Sequence, residues 1–277
     1  MGNYLVARSQ ANVPEYMRGD DTGTDKLKQY QRPGRVKVVH KMAGEKILKS
    51  FGHGDIIVVP TGLRVSTIDR DDKGNPADEG KPFHFVPVGF YVEWCLWNDI
   101  KSKGSAPAVL ARSMDPKSKI ARLAQSPDTW IADHPTAAGL KVRYVEHLNF
   151  IVLLLDAEEA PATPTVMSFF KGSHEQGVQL STLINLRSPA PMYGCVFEGR
   201  AGRGPNTSED YYVIYPSNPS EESGVKPFLE QADYEFARDT YKELAELVST
   251  NEISVDFEDD DETIDVMSES AEVEAPY

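Results

Sequence analysis

Basic residues are absent from the last 27 positions of this 277-residue chain, and cysteine is scarce throughout it. The two cysteines, Cys95 and Cys195, form no spacing motif and lie in apolar surroundings, which predicts reduced core residues rather than a disulfide framework. The longest apolar run, Phe150–Leu155, is far shorter than the ~20 residues of a membrane span. We therefore expect a cytoplasmic protein without a membrane partner.

The signatures of common catalytic and metal sites are also missing. The sequence has no Gly-rich loop followed by Lys-Ser/Thr, no HExxH, no CxxC and no nucleophile elbow. Glu146-His147 is typical of a histidine that is hydrogen-bonded within a strand rather than of a metal ligand. The segment 199–204, in which two arginines alternate with small residues, predicts either a basic hairpin tip or a solvated loop. These absences predict a protein that is not an enzyme and that has no cofactor and no metal site.

What the chain does have is an acidic end. Asn251–Tyr277 contains eleven Asp or Glu residues, including Asp259, Asp260 and Asp261, and ends in Pro276-Tyr277. Mutual repulsion of so many carboxylates predicts a disordered segment. Two interpretations remain open, a solubilising tail and a tail whose tip, Pro276 and Tyr277, contacts a protein partner.

The tail accounts for most of the net charge of −14. Without its eleven carboxylates, 29 basic and 32 acidic residues leave positions 1–250 at −3. Local charge decides nucleic-acid binding more than the total does. Two stretches are locally basic, and they contain Lys26, Lys28, Arg32, Arg35, Lys37, Lys41, Lys46 and Lys49, and then Lys101, Lys103, Arg112, Lys117, Lys119 and Arg122.

The hydrophobic pattern predicts an α+β or mostly-β body. We expect a flexible N-terminal arm at 1–34, one binding domain at 35–250 and the disordered tail at 251–277. Within the domain, several short strands are followed by an irregular inserted loop region at 98–142, more strands, and two helices, one from Ser173 and one opened by Pro227. Strands that do not alternate with helices favour a partly open barrel such as an OB-fold over a doubly wound sheet.

Aromatic residues concentrate in the strand predicted at Phe83–Trp97. Gly89 predicts a bulge or bend there. Phe83, Phe85 and Tyr91 share the same alternation parity, but parity alone leaves open which face is wet. Single-stranded nucleic acid is bound by stacking platforms beside Lys and Arg. The predicted DNA-binding residues are Arg35, Lys37, Lys41, Lys46, Phe85, Trp94, Trp97, Lys101, Arg112, Lys171, Arg200 and Arg203.

The order of these segments resembles a family of phage and plasmid single-stranded-DNA-binding proteins, and the acidic tail with its Pro-aromatic tip resembles the partner-recruiting tails of such proteins. The matching stretches, between residues 33 and 248, are Arg35–His40, Phe85–Val88 leading to Trp94 and Trp97, Ala111–Asp115, Phe150–Leu155, Val166–Ser173, Pro191–Tyr193, Tyr211–Val213 and Glu235–Leu244.

This resemblance implies an OB-type core and a role in phage DNA replication, recombination or repair, in the host cytoplasm if the protein is phage-encoded. Members of that family often carry cysteines that look like a metal-binding knuckle in the segment around Arg112–Ala138. This sequence has none there, so no zinc site is expected.

The leading hypothesis is sequence-independent binding of single-stranded DNA, with replication or recombination proteins as partners of the tail. A homo-oligomer is compatible with this organisation. The alternative from another class is a phage structural or partner-binding protein without nucleic-acid function. A nuclease is disfavoured because no cluster of carboxylates stands out.

Overall fold

A 16-residue strand, Phe83–Asn98, is the element around which the sheet is assembled. We describe the protein from a computed structural model that covers residues 33–41, 43–98, 109–124, 142–155, 163–205 and 211–249. The strand pairs with three others, and its longest partner, Val142–Leu154, runs antiparallel to it along most of its length. The aromatic and β-branched residues of both segments favour extended structure.

The described strands and helices are numbered in chain order. The strands are β1 Gly34–Val38, β2 Ile56–Val59, β3 Leu63–Ser66, β4 Ile68–Arg70, β5 Pro76–Gly80, β6 Phe83–Asn98, β7 Val109–Ser113, β8 Val142–Leu154, β9 Thr165–Phe170, β10 Phe197–Arg203 and β11 Tyr212–Ser217. The helices are α1 Glu45–Ser50, α2 Lys119–Ala124, α3 His174–Leu186 and α4 Gln231–Ser249. Short 3₁₀ turns occupy Lys171–Ser173, Met192–Gly194 and Glu221–Ser223.

The strands form one sheet in the order β3-β2-β1-β9-β8-β6-β10-β5-β4, with β11 on β10 and β7 on β6. The β1–β9 pair is parallel, and the other described pairs are antiparallel. A sheet of this many strands curls because each strand is twisted relative to the next. The result is a mostly-β, nearly closed, barrel-like fold with few helices, which confirms the predicted fold class at that level.

A bulge at Gly89 exchanges the two faces of β6. The register with β8 shifts between Pro87 and Gly89, and a Cβ at Gly89 would lie 2.9 Å from Ile151 Cδ1. Phe85 therefore packs in the core cluster on one face, while Tyr91 packs in the cluster on the other. The predicted bulge is confirmed, and it places Phe85 and Tyr91 on opposite faces in spite of their shared parity, because the extra residue reverses the alternation.

One long helix covers each face. On α3, Leu180 packs in the cluster with Phe85, while α4 contributes Ala237 and Leu244 to the cluster with Tyr91. The predicted helices exist, and the predicted N-cap of α3 is confirmed. Ser173 is the N-cap residue of α3, but its hydroxyl bonds to the backbone of the preceding strand.

The last helix begins at Gln231 instead of Pro227. The Pro227 carbonyl accepts a hydrogen bond from Val196 N, so this segment runs extended beside the sheet before the helix starts. Within the described residues no helix combines the length and the apolar character needed to cross a membrane.

Two segments expected to be irregular contain regular structure. Within the predicted insertion at 98–142, the described residues form β7 and α2, and β7 pairs with β6. The Gly-Arg segment expected at a hairpin tip is part of β10, where Arg200 and Arg203 pair with Tyr215 and Tyr212 of β11. β7 and the Gly-Arg part of β10 were missed because flanking prolines and internal glycines, respectively, hide a strand pattern. The arm at 1–32 and the tail at 251–277 lie outside the described residues and remain predictions.

Candidate nucleic-acid interface

Odd-numbered residues of β6 line one face of the sheet beyond the bulge. Cross-strand neighbours on β8 share that face. The facing pairs are Tyr91 with Asn149, Glu93 with His147, Cys95 with Val145 and Trp97 with Arg143. The same face continues onto β9, where Phe170 pairs with His147, and onto β7, where Arg112 pairs with Cys95. Polar, aromatic and basic side chains are thus brought together from four strands.

Three rings lie nearly parallel at the centre of this face. The His147 and Phe170 ring centroids are 4.3 Å apart with 9° between the planes, and Trp97 is 5.7 Å from His147, also at 9°. Trp97 Nε1 donates a hydrogen bond to His147 Nε2 at 2.8 Å. This bond fixes the indole in its plane and requires an unprotonated Nε2, so the imidazole is neutral.

A lysine ammonium lies over the indole. Lys171 Nζ is 3.7 Å from the Trp97 ring centroid and 5.8 Å from that of Phe170. Lys171 has φ 51°, a left-handed backbone conformation that costs free energy for any residue with a Cβ. The junction between β9 and α3 thus holds this cation in place at an energetic cost.

The charges of three basic side chains act on the imidazole. Burial holds the pKa of His147 well below its usual range, and Lys171, Arg35 and Arg112 lower it further by charge repulsion. These cations come from β9–α3, β1 and β7, so the fold gathers them from distant parts of the sequence. We call the set formed by Arg35, Trp97, Arg112, His147, Phe170 and Lys171 the cationic aromatic patch.

A buried acid lies at the margin of the patch. Glu93 is only 2% exposed, and its Oε1 lies 3.7 Å from Arg112 Nη1. Burial raises the pKa of Glu93, and the nearby Arg112 guanidinium partly opposes this shift. Burial also raises the pKa of the Cys95 thiol, which makes it a poor nucleophile. Neither group has the arrangement of an activated catalytic residue.

Of the predicted DNA-binding residues, Arg35, Trp97, Arg112 and Lys171 are brought together in the patch. Lys37 lies two residues from Arg35 on β1 and is half-buried on the same face of the strand. Sequence reasoning did not select Arg143, His147 or Phe170 for this site. Arg143 and His147 occupy odd positions of β8, and Phe170 occupies an even position of β9, so alternation could have assigned each to one face of its strand. Only the strand pairing shows that these faces meet beside Trp97.

Two predicted stacking residues lie elsewhere. Phe85 is fully buried on the opposite face, against Phe83 and Phe197. A ring without exposed surface offers no face to a base, so we withdraw Phe85 from the interface. Trp94 also points to the opposite face, where its Nε1 donates to Glu146 Oε1 at 3.0 Å. Residues three apart on a strand face opposite sides, so Trp94 and Trp97 do not form one platform.

The remaining predicted cations are dispersed. Lys41 and Lys46 are exposed near the β1 end and on α1. Arg200 and Arg203 flank a cavity of about 710 Å³ beside β10 and β11, where they pair with Glu198 at 2.8 Å and Asp78 at 2.7 Å. The charges of both arginines in this cavity are compensated by these carboxylates. Lys101, Asp259, Asp260, Asp261, Pro276 and Tyr277 lie outside the described residues.

The described residues contain no group of three or more His, Cys, Asp or Glu side chains that could hold a metal ion. No curated protein and no solved structure is significantly similar to this chain. Residues 76–248 match the family model described as Pam3 phage gp34-like protein, and this segment includes every part of the patch except Arg35. The match spans more than half of the 277 residues, and the chain belongs to the Pam3 phage gp34-like family.

Proposed function

We propose that this protein binds single-stranded DNA without sequence preference, as part of phage DNA replication or recombination, and that the cationic aromatic patch is its interface. The observation that carries the proposal is the position of Lys171 Nζ, 3.7 Å from the Trp97 ring centroid and beside the parallel His147 and Phe170 rings. Arg35 and Arg112 add basic side chains to the same face, and local positive charge favours an anionic ligand.

The rings favour a single strand over a duplex. Bases of a single strand can leave their own stack and lie on aromatic side chains, at about 1–3 kcal/mol per base. Bases within a duplex present only their edges in the grooves. The Trp97, His147 and Phe170 rings lie nearly parallel to one another, which is in keeping with a ligand whose bases stack.

The fold is compatible with this function. OB-folds are small, partly open barrels of antiparallel strands whose sheet surface binds oligonucleotides. We propose that part of the curled sheet around β6 and β8 corresponds to such a barrel, with the remaining strands as additions.

The acidic tail has a place in the same proposal. Its carboxylates would compete with phosphates for the patch, since a tethered segment has a millimolar effective concentration. DNA would displace the tail and release Pro276 and Tyr277 to a replication or recombination protein. The partner-recruiting role and the regulatory role are therefore two results of one displacement.

A second candidate function is a phage structural or partner-binding protein. It is favoured by apolar side chains on the outer surface of α3 and beside it, where Leu186 is 75% exposed and Val178 and Phe228 are about half exposed. Clustered exposed apolar residues commonly mark contact surfaces for proteins. This surface is separate from the patch, so both functions could be tested independently.

The proposed function is tested by titrating the full chain with poly-dT and with a duplex of equal length, at two salt concentrations. We expect binding to poly-dT that weakens steeply with salt and exceeds binding to the duplex. Absence of binding to poly-dT at low salt would contradict the proposal and leave the protein-contact function as the better explanation.

A further inference from the structure

The strained left-handed backbone conformation of this turn falls on Lys171 and not on the glycine that follows it. Lys171 has φ 51°, whereas Gly172, which adopts left-handed conformations without cost, does not occupy that position. A glycine at position 171 would adopt this conformation without strain, but it would carry no ammonium group. The chain instead keeps a lysine at this position, with its Nζ 3.7 Å from the Trp97 ring centroid.

The ring beneath the ammonium is already prepared for stacking. Its hydrogen bond to His147 at 2.8 Å and the parallel Phe170 ring 5.5 Å away fix its plane. A rigid, oriented ring binds a base with little loss of side-chain freedom. Only 8% of Trp97 is exposed, so a base reaches this ring only after the group lying over it has moved.

The Lys171 side chain is partly buried and reaches the indole through a long aliphatic chain. Its flexible four-carbon chain carries a point charge with three donors, and an ammonium leaves an aromatic face more readily than a guanidinium, which stacks. A nucleotide brings both the base that replaces the ammonium and the phosphate that attracts it. The exchange therefore conserves favourable contacts for the ring and for the cation.

We propose that Lys171 is the positioning residue of a nucleotide subsite: its ammonium covers Trp97 in the free protein and transfers to a phosphate when a base stacks on the indole. This inference rests on the proposed function and adds the subsite, its ligand and the order of contacts. The ligand class is one nucleotide of a single strand, with the base on Trp97 and the adjacent phosphate on Lys171.

Two substitutions separate this role from a structural one. Asn tolerates left-handed conformations, so Lys171→Asn removes the cation while keeping the backbone. Lys171→Arg keeps the cation. If Lys171 served only to hold the turn or the ring, Lys171→Asn would lower the urea midpoint of unfolding. We expect that midpoint to be unchanged and the DNA affinity to fall. Lys73→Asn, an exposed lysine in the β4–β5 turn, is the matched control.

The measurement is a titration of each full-length variant with a short oligo-dT and with the matching abasic oligonucleotide, at several salt concentrations, followed by tryptophan emission. For the wild type we expect the oligo-dT to bind roughly 5- to 100-fold more tightly than the abasic strand, since stacking is lost without bases. Trp97→Leu should abolish that ratio and the change in emission.

Lys171→Asn should lower the salt slope by about 0.7, the contribution of one phosphate contact, and Lys171→Arg should restore it. The inference would be overturned by wild-type binding whose oligo-dT to abasic ratio is unaffected by Trp97→Leu, or by a salt slope that Lys171→Asn leaves unchanged. Failure of the wild type to bind any strand at low salt would instead contradict the proposed function itself.

Discussion

The carboxylate of Glu93 lies 3.7 Å from the guanidinium of Arg112, and the Glu93 side chain is almost completely buried whereas the Arg112 side chain is partly exposed. They are also placed on neighbouring strands of the same face, since Arg112 pairs with Cys95 two residues further along β6. An ionised carboxylate at such a depth is costly to desolvate even with a cation beside it. This relationship gives the protein a pH-dependent stability.

We expect stability to fall as pH rises through the pKa of Glu93. Burial raises that pKa above the ordinary value of 4.5, so the fold favours the neutral acid. The contribution of Glu93 is complete below pH 4.5 and is lost as the folded-state group ionises. Urea unfolding of the wild type and Glu93→Gln between pH 5 and 8 checks this. The variant should show a flatter pH dependence, Arg112→Met a steeper one, and identical profiles would contradict the assignment.

The second prediction concerns Trp94, which bonds to Glu146 and not to the patch. Trp94→Phe should cost about 1–2 kcal/mol of folding stability, because it leaves the carboxylate with one donor fewer. It should leave DNA affinity within twofold of wild type, whereas Trp97→Phe should weaken it. Chemical denaturation and an oligo-dT titration of both variants provide the comparison. A loss of affinity confined to Trp94→Phe would place the stacking platform on the opposite face.

The third prediction tests the withdrawal of Phe85 from the interface. Its ring is fully buried between Phe83 and Phe197, so Phe85→Ala should destabilise the fold by about 3–5 kcal/mol. Phe85→Leu, which keeps most of the volume, should be much milder. At a temperature where Phe85→Leu is folded, its DNA affinity should equal that of the wild type. A selective loss of affinity in this variant would return Phe85 to the interface.

The fourth prediction concerns the acidic tail. Deleting residues 252–277 should tighten binding to single-stranded DNA, most at low salt, where charges are least screened. The same deletion should abolish recruitment of replication proteins in a pull-down, and Tyr277→Ala should harm recruitment with little effect on DNA affinity. If the truncated protein binds DNA no more tightly and Tyr277 proves dispensable, the tail is only a solubilising segment.

Local signals in the sequence predicted much of the fold. The β-branched and aromatic runs predicted β1, β2, β6 and β8, and the apolar spacing predicted the two long helices. The bulge at Gly89 was also predicted, but not its consequence for parity, because that depends on which residue faces a partner strand. The faces of Phe85 and Tyr91 therefore could not be assigned from alternation alone.

The site was less accessible from sequence because it depends on long-range pairing. Arg35 reaches the patch since β1 pairs in parallel with β9, which follows it by about 130 residues. Lys171 was among the predicted residues, but its position over Trp97 depends on the turn after β9. Trp94 and Trp97 could have been separated from sequence, since residues three apart on a strand lie on opposite faces.

The central claim, that the cationic aromatic patch binds the phosphates of single-stranded DNA, is tested most directly by the salt dependence of oligo-dT binding. The informative variant is Arg35→Gln combined with Arg112→Gln and Glu93→Gln, which removes two cations without leaving a buried carboxylate unpaired. Its control is Lys49→Gln with Lys242→Gln, two exposed helix lysines in surface ion pairs. Circular dichroism checks that both variants fold.

In a plot of log affinity against log salt, each phosphate contact contributes a slope of about −0.7 on a single strand. We predict a steep slope for the wild type and the control, and a slope shallower by about 1.4 for the patch variant. Equal slopes for the patch variant and the control, with binding intact, would contradict the claim that the patch is the DNA interface.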